Sequence, residues 1–260
     1  MTDQMTSVAP PDRISPLTRA REILFSSPLV TSASLLLGII VLAAIFAPWV
    51  VPHDPVRLTP SVRLKPPSET YWLGTDAYGR DLFSRIITGG QISLVVGVAA
   101  AIFAVAFGLL FGLLAGYIRW IDAVLMRMVD GLMAIPSILL AIAIVSLWGA
   151  SLWTVLVAIT IPEVPRVVRL VRSIVLSARE EPYVEAAIAA GSPTWLIMRR
   201  HLVPNTIAPL IIQGTYICAS AILTEAILSF LGAGISPETP SWGNIMAEGR
   251  IYFQINPGIV

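Results

Sequence analysis

Long apolar runs separated by short clusters of charge dominate this chain. Leu29 to Val51 is 23 residues without a charged side chain, and Ile92 to Ile118 is 27. As helices rising about 1.5 Å per residue, both can cross a hydrocarbon layer about 30 Å thick. Gly131 to Pro162 adds 32 charge-free residues, about 48 Å of continuous helix and too long for one crossing. A break at Trp148-Gly-Ala-Ser151 divides that run into two spans joined by a tight turn. The pattern predicts an all-α integral membrane protein with spans at about 29–51, 91–118, 127–148, 152–172 and 206–230. The fifth span is expected to start at Asn205, a good helix cap, with Pro209 in its first turn, where a missing N–H does little harm.

Polar segments fill the rest. Residues 1–17 carry Pro10, Pro11 and Pro16 in a polar tail, expected to stay disordered because such a composition buries too little surface. Residues 18–28 mix basic and apolar positions before the first span, which suits an interfacial helix or, equally, a simple polar lead-in. The loop 52–90 is too long for a hairpin and should have structure of its own. A second polar loop covers 177–205, and a last segment covers 231–260.

Composition agrees with this picture, at 56% hydrophobic and 13% charged residues, where a soluble domain carries about 25% charged. The first run follows Arg19 and Arg21 but exceeds the apolar core of a signal peptide and leads into Pro48-Trp-Val-Val-Pro52, so it reads as a retained anchor. One cysteine, Cys218, allows no intrachain disulfide, and two distant histidines, His53 and His201, make a protein-built metal site unexpected. The net charge of +1 says nothing about partners, although its distribution does; no cofactor and no nucleic-acid partner are expected. Lys65 is the sole lysine and follows no glycine-rich turn, so the chain has no phosphate-binding loop of the Walker type; the His-Glu-x-x-His and Gly-x-Ser-x-Gly signatures are missing as well. A membrane-embedded hydrolase is therefore a weak rival. A channel or secondary transporter remains the better rival on hydropathy alone.

Basic residues set the orientation. With the N-terminus in the cytoplasm, the inner side collects Arg13, Arg19, Arg21, Arg119, Arg127, Arg166, Arg169, Arg172, Arg179, Arg199 and Arg200, eleven of the 17 basic residues. The outer side keeps Arg57, Arg63, Lys65, Arg80, Arg85 and Arg250. This places 52–90 and 231–260 outside and 177–205 inside.

The inner loop reads as two short helices. The first, about 181–190, sets Tyr183, Ala186, Ala187 and Ala190 on one stripe with Glu185 opposite. Gly191 ends it, Ser192 can cap the next, and Pro193 takes its first position. The second helix, about 193–203, stops before Pro204 and sets Trp195, Met198 and Leu202 on one face.

Glu185-Ala-Ala, Gly191, His201 and Pro204 resemble the EAA loop in the transmembrane subunits of binding-protein-dependent ABC importers. Two further stretches narrow the resemblance: Trp72-Leu-Gly-Thr-Asp through Gly79-Arg-Asp to Arg85, including Gly74, Asp76, Arg80 and Asp81, and Leu223-Thr-Glu-Ala-Ile-Leu-Ser-Phe-Leu-Gly232 with Pro240-Ser-Trp-Gly243. Together they are similar to the dipeptide, oligopeptide and nickel permeases, second-permease type, over about residues 20–255. The resemblance implies the type I importer transmembrane fold and a coupling role for Glu185, Ala186, Ala187, Gly191, His201 and Pro204. It also implies a multi-pass protein of the cytoplasmic membrane, surrounded by lipid, working with a paralogous permease, two ATPase subunits or domains and a solute-binding protein. A short peptide is the expected substrate, with nickel chelates or haem as alternatives. Two departures stand out. Gln91 replaces a usual arginine, and only ten residues follow Arg250, so the family's sixth span is expected to be missing.

Each motif residue also has a plainer reading. Glu185 can be a solvated carboxylate, Gly191 a simple helix stop, and His201 a polar interface residue without chemistry. Among ionisable residues within spans, functional candidates by default, Glu163 has Arg166 three residues on as a local partner. Glu225 has none nearby in sequence, and Asp130 is expected beside Arg127.

Overall fold

The computed structural model describes residue 25 and residues 27–252, so the expected tail 1–17 and nearly all of the expected interfacial helix 18–28 lie outside the described residues. Two compact units divide at Ala43 and Ala44. Helix α1 (Pro28–Ile45), which lies in the first except for its last two residues, is apolar along most of its surface. Leu35, Leu36, Leu37 and Ile39 are all exposed on it, as a lipid-facing helix requires.

The second unit holds the remaining α-helices: α2 (Ala47–Val50), α3 (Leu82–Tyr117), α4 (Arg119–Met133), α5 (Ser137–Trp148), α6 (Leu152–Ala178), α7 (Pro182–Ala189), α8 (Thr194–Ile197), α9 (Val203–Phe230) and α10 (Trp242–Tyr252). Among the described residues there is no strand, only an isolated bridge between Thr75 and Asp81.

Three long helices form its centre. Gly108, Gly112 and Gly116 lie on one stripe of α3 and meet Val167, Val171 and Val175 of α6. A Cβ added at these glycines would fall 2.3, 2.6 and 2.7 Å from the Cβ of Val167, Val171 and Val175 respectively. Both sets advance by four, so α3 and α6 run parallel and their backbones approach closely along just over two turns. Small residues at this spacing are what permits such approach where lipid supplies no hydrophobic drive between helices. Helix α9 runs the other way, because Gly97 of α3 faces Ile222 and Cys218 while Gly214 of α9 faces Val105. Two apolar clusters fill the bundle, one around Val167, Val171, Val175, Leu202 and Ile217 and one around Val96, Val155, Ala221 and Leu228.

Several element boundaries differ from the sequence expectation, each for a local reason. Helix α3 begins at Leu82, nine residues before the expected 91, because Asp81 caps it by accepting from Ser84 N at 3.1 Å. The expected span 127–148 is two helices meeting at 89°, since Pro136 disfavours helix at the residue before it and α4 ends at Met133. The break after α5 falls at Gly149, with φ +84°, and Ser151 caps α6 by accepting from Thr154 N at 3.1 Å. Helix α9 starts at Val203 rather than Asn205, so Pro209 is interior and not in the first turn. Asp130 pairs with Arg169 Nη2 at 2.5 Å, not with Arg127. Arg172 grips Asp122 with two nitrogens, Nη2 to Oδ2 at 2.7 Å, so two ion pairs tie α4 to α6.

By length and composition α1, α3 and the α8–α9 stretch can each cross a membrane, and the bent α4–α5 pair makes a fourth. Helix α6 has the length, at 27 residues, but Glu163, Arg166, Arg169 and Arg172 lower its hydropathy.

The zipper gives a direct test. Gly112→Ala puts a methyl where Val171 already sits and should destabilise by about 1–3 kcal/mol, the usual cost of overpacking. Gly112→Ala with Val171→Ala should recover much of that loss. Thermal unfolding of the purified protein in detergent checks both.

Candidate functional site

The family-like residues gather at opposite ends of the bundle. At one end, where α3 and α6 finish, the chain turns through α7 and α8 into α9. Helix α7 opens with Pro182 in its first turn and closes on Gly191, whose φ of +74° is open to glycine at little cost. Gly191 N donates to Ile188 O at 2.9 Å and Ser192 N to Ala187 O at 3.0 Å, the paired bonds of a Schellman ending.

Burial corrects the expected stripe. Val184 is fully buried, and Ala187 packs beside it on the apolar cluster of the bundle. Tyr183, Glu185, Ala186 and Ile188 are exposed. So Ala186 and Ala187 do not present one surface: Ala187 faces inward, Ala186 outward. The second helix is also different from expectation. Thr194–Ile197 is α, Met198–Leu202 is a π-turn closed by Val203 N donating to Met198 O, and the chain continues into α9 instead of stopping before Pro204. Pro204 lacks an N–H, and the wider turn absorbs that loss without ending the helix. Pro193 stands at the cap position of α8 with no side-chain cap, so Ser192 does not serve as one. Leu202 and Ile197 are buried while Trp195 is 61% exposed, so Trp195 does not share a face with Leu202. Asn205, not a cap, donates Nδ2 to the Tyr183 hydroxyl at 2.9 Å and to His201 O at 2.6 Å. Tyr183 and His201 rings lie 5.9 Å apart. Together these contacts bracket the first turn of α7 against the entry to α9.

The other end is built from the loop before α3 and from α10. Asp76 Oδ1 accepts from Tyr78 N at 2.8 Å and Arg80 N at 2.9 Å, a local turn that Gly79 closes at φ +75°. Gly74 and Gly79 also bring the loop onto Lys65 O and Thr59 O, where a Cβ would overlap. Arg80 Nε donates to Asp76 Oδ2 at 2.5 Å, and its Nη2 reaches Glu248 of α10. Arg85, fully buried, donates Nη2 to the same Glu248 oxygen at 3.2 Å. Burial raises the Glu248 carboxyl above the usual glutamate value, against the pull of Arg85 and Arg80. Asp81 also stands 3.4 Å from His53 Nδ1. A compact ion cluster thus clamps the loop onto α10.

Between the ends, Glu163 is buried and accepts from Arg166 Nη1 at 3.1 and 3.2 Å, the local pair that the spacing allows. Glu225 is buried without a cation bonded to it among the described residues, and three serines hold it instead.

The sequence matches known transport proteins. The family model of binding-protein-dependent transport system inner membrane components matches residues 108–256. The chain belongs to this family. A second model, the N-terminal TM domain of oligopeptide transport permease C, matches residues 15–67. A probable peptide ABC transporter permease of Sinorhizobium fredii is 51% identical over 88% of this chain and 79% of the relative. A dipeptide transport system permease of Alkalihalophilus pseudofirmus is 42% identical over the whole chain and 87% of its own length. A glutathione transport system permease of Escherichia coli is 38% identical over 88% of this chain and 76% of the relative. As a permease component of ABC transporters, a member of this family is an integral membrane protein and not itself catalytic.

Several residues of this permease escaped the sequence reading. Glu248 had no motif to mark it, and its partners lie 163 and 168 positions away in the chain. Ser93 and Ser241 looked like ordinary serines, although Ser241 sits inside a quoted motif. A signal did exist for Ile188, a large apolar residue between the small residues Ala186, Ala187 and Ala189.

Glu248→Ala should destabilise the permease by about 3–5 kcal/mol, because the buried Arg85 then loses its hydrogen-bonded carboxylate and keeps only Asp76 at 3.6 Å, which Arg80 already engages. Glu248→Leu combined with Arg85→Met should cost clearly less. Thermal unfolding and limited proteolysis of the loop 52–81 check this.

Proposed function

We propose that this permease is one of two paralogous membrane subunits of an ATP-driven importer of short peptides, and that α7 and α8 form the surface on which an ATPase docks. The relatives carry the substrate class: the three named above are described as peptide, dipeptide and glutathione permeases. The observation that carries the docking surface is the pairing of burial and exposure on α7. Val184 and Ala187 root the helix in the bundle, while Ala186, Ile188 and Trp195 leave apolar surface free at a polar end of the protein. A surface of that kind is expected where another protein sits.

In this reading the chain crosses the cytoplasmic membrane five times with its N-terminus inside, α6 being the span whose lower half carries arginines toward the cytoplasm. A solute-binding protein delivers peptide to the side that bears the ion cluster. ATP binding draws the ATPases together, α7 follows, and the paired permeases pass between inward-open and outward-open states. Leverage comes from continuity. Helix α7 joins α6 by a short turn through Arg179 to Glu181 and leads into α9 through α8 and the π-turn, so a push on it acts on both halves of the bundle. Glu185, exposed beside Ala186, supplies charge at the same contact, and Gly191 sets the angle of presentation.

Ala186→Trp should weaken ATPase docking roughly ten- to a hundredfold, for an overlap of about 1–3 kcal/mol at a packed contact. Glu185→Lys should weaken it as well. Both variants should insert normally, lose ATP-driven peptide uptake in reconstituted vesicles and lose substrate stimulation of hydrolysis. Ala187→Trp is the contrasting control, since it should also lower thermal stability. Parental uptake by both Ala186→Trp and Glu185→Lys would refute the docking surface.

The orientation has its own check. A cysteine at Ala77 should react with an impermeant thiol reagent in intact cells, and reaction only after permeabilisation would reverse the topology.

A further inference from the structure

Glu225 is fully buried in α9, a position where a carboxyl group needs partners. Its Oε1 accepts from Ser229 Oγ at 2.9 Å and Ser241 Oγ at 2.8 Å, and its Oε2 from Ser93 Oγ at 3.4 Å. These serines come from α9, the approach to α10 and α3. Two of them are committed on their other side. Ser241 Oγ accepts from Asn244 N at 3.1 Å, and Ser93 Oγ accepts from Trp242 N at 3.3 Å. A hydroxyl has one proton, so both serines, having taken a backbone N–H, can turn that proton to Glu225. The carboxyl oxygens therefore reach the first turn of α10 through two hydroxyl relays.

Packing around this hub leaves no slack. A Cβ at Gly243 would lie 2.6 Å from Ala226 Cα, one at Gly90 2.9 Å from the Trp242 ring, and one at Gly89 3.2 Å from the Ser241 backbone. Trp242 Nε1 adds a bond to Ile86 O at 3.0 Å. Asn244 Nδ2 lies 3.0–3.2 Å from the carbonyls of Ile235, Ser236 and Thr239, fastening the connection from α9. At its far end α10 is held by Glu248 on Arg80 and Arg85.

We infer that Glu225 is a positioning residue, an acceptor hub that fixes the start of α10 on α3 and α9 so that the three move as one body during transport. Its hydrogen bonds to the three serines do this work, not its charge, and it does not contact the peptide. The inference rests on the importer reading for its role in transport, but the hub itself can be tested without substrate.

The test uses the complete reconstituted assembly carrying Glu225→Gln, Glu225→Ala or Ser241→Ala, with hydrogen exchange over residues 240–249 and peptide uptake as separate readouts. A glutamine keeps an oxygen for Ser229 and Ser241 and can donate to Ser93. Glu225→Gln should therefore hold exchange and uptake within about twofold of the parent. Loss of a buried hydrogen bond at the hub should raise exchange in the first turn of α10 roughly tenfold in Glu225→Ala and Ser241→Ala, with uptake falling alongside. If Glu225→Ala fails to assemble, Ser241→Ala still decides when exchange is read at the Trp242 amide, which is bonded to Ser93 and not to Ser241. A Glu225→Gln variant that loses uptake while α10 stays protected would overturn the inference in favour of a charge acting on the path. Parental exchange in Ser241→Ala would overturn it too. Failure of the importer reading would show differently, as a parent assembly without ATP-driven peptide uptake whose α10 exchange still responds to the variants.

Discussion

The backbone contact between α3 and α6 is the constraint on which the rest of the second unit depends. Gly108, Gly112 and Gly116 admit Val167, Val171 and Val175 to distances that no side chain larger than hydrogen would permit. Once these helices run parallel in contact, their starts share one end of the bundle and their finishes the other. The segment after α6 must then emerge beside the end of α3, where Arg179 Nη1 reaches Gly116 O at 3.4 Å. α7 and α8 occupy that end because the zipper delivers the chain there. At the opposite end, the start of α3 and the finish of α9 are left side by side, and α10 closes over both.

Polar groups at the α10 end reinforce this frame. Buried charge is expensive unless paired, and the loop before α3 meets that demand by bringing Asp76, Arg80, Arg85 and Glu248 together. Glu225 is handled differently, with hydroxyl donors from three parts of the chain. Both arrangements hold α10, one at each of its ends. By contrast, α7 and α8 are secured mainly by apolar contacts of Val184, Ile197 and Leu202 and by one side-chain bracket at Asn205. The protein is thus tightly clamped at one end and more lightly held where a partner would push.

Hydropathy and motif order made the helical membrane class and the family legible in the sequence. Local chemistry was legible wherever cause and effect lie within a few residues: Glu163 with Arg166, the glycine turn at Gly191, the break at Gly149. Contacts between distant residues were not. The pairing of Asp130 with Arg169 rather than Arg127, and of Glu248 with Arg80 and Arg85, is set by how helices pack, which one sequence does not display. The division of Ala186 from Ala187 was hidden for a related reason. Both are small and sit on the same side of a helical wheel, and only the position of the bundle core decides which one is covered. Pro204 misled because a proline usually ends a helix, and here a π-turn carries the chain past it.

The central claim is that α7 and α8 form the contact with the ATPase, and site-specific photocrosslinking in the assembled importer tests it most directly. A photoreactive residue at Ile188 or Trp195 should join the permease to the ATPase subunit, and one at Tyr78 should not. Crosslinks to the ATPase from Tyr78, with none from Ile188 or Trp195, would contradict the account.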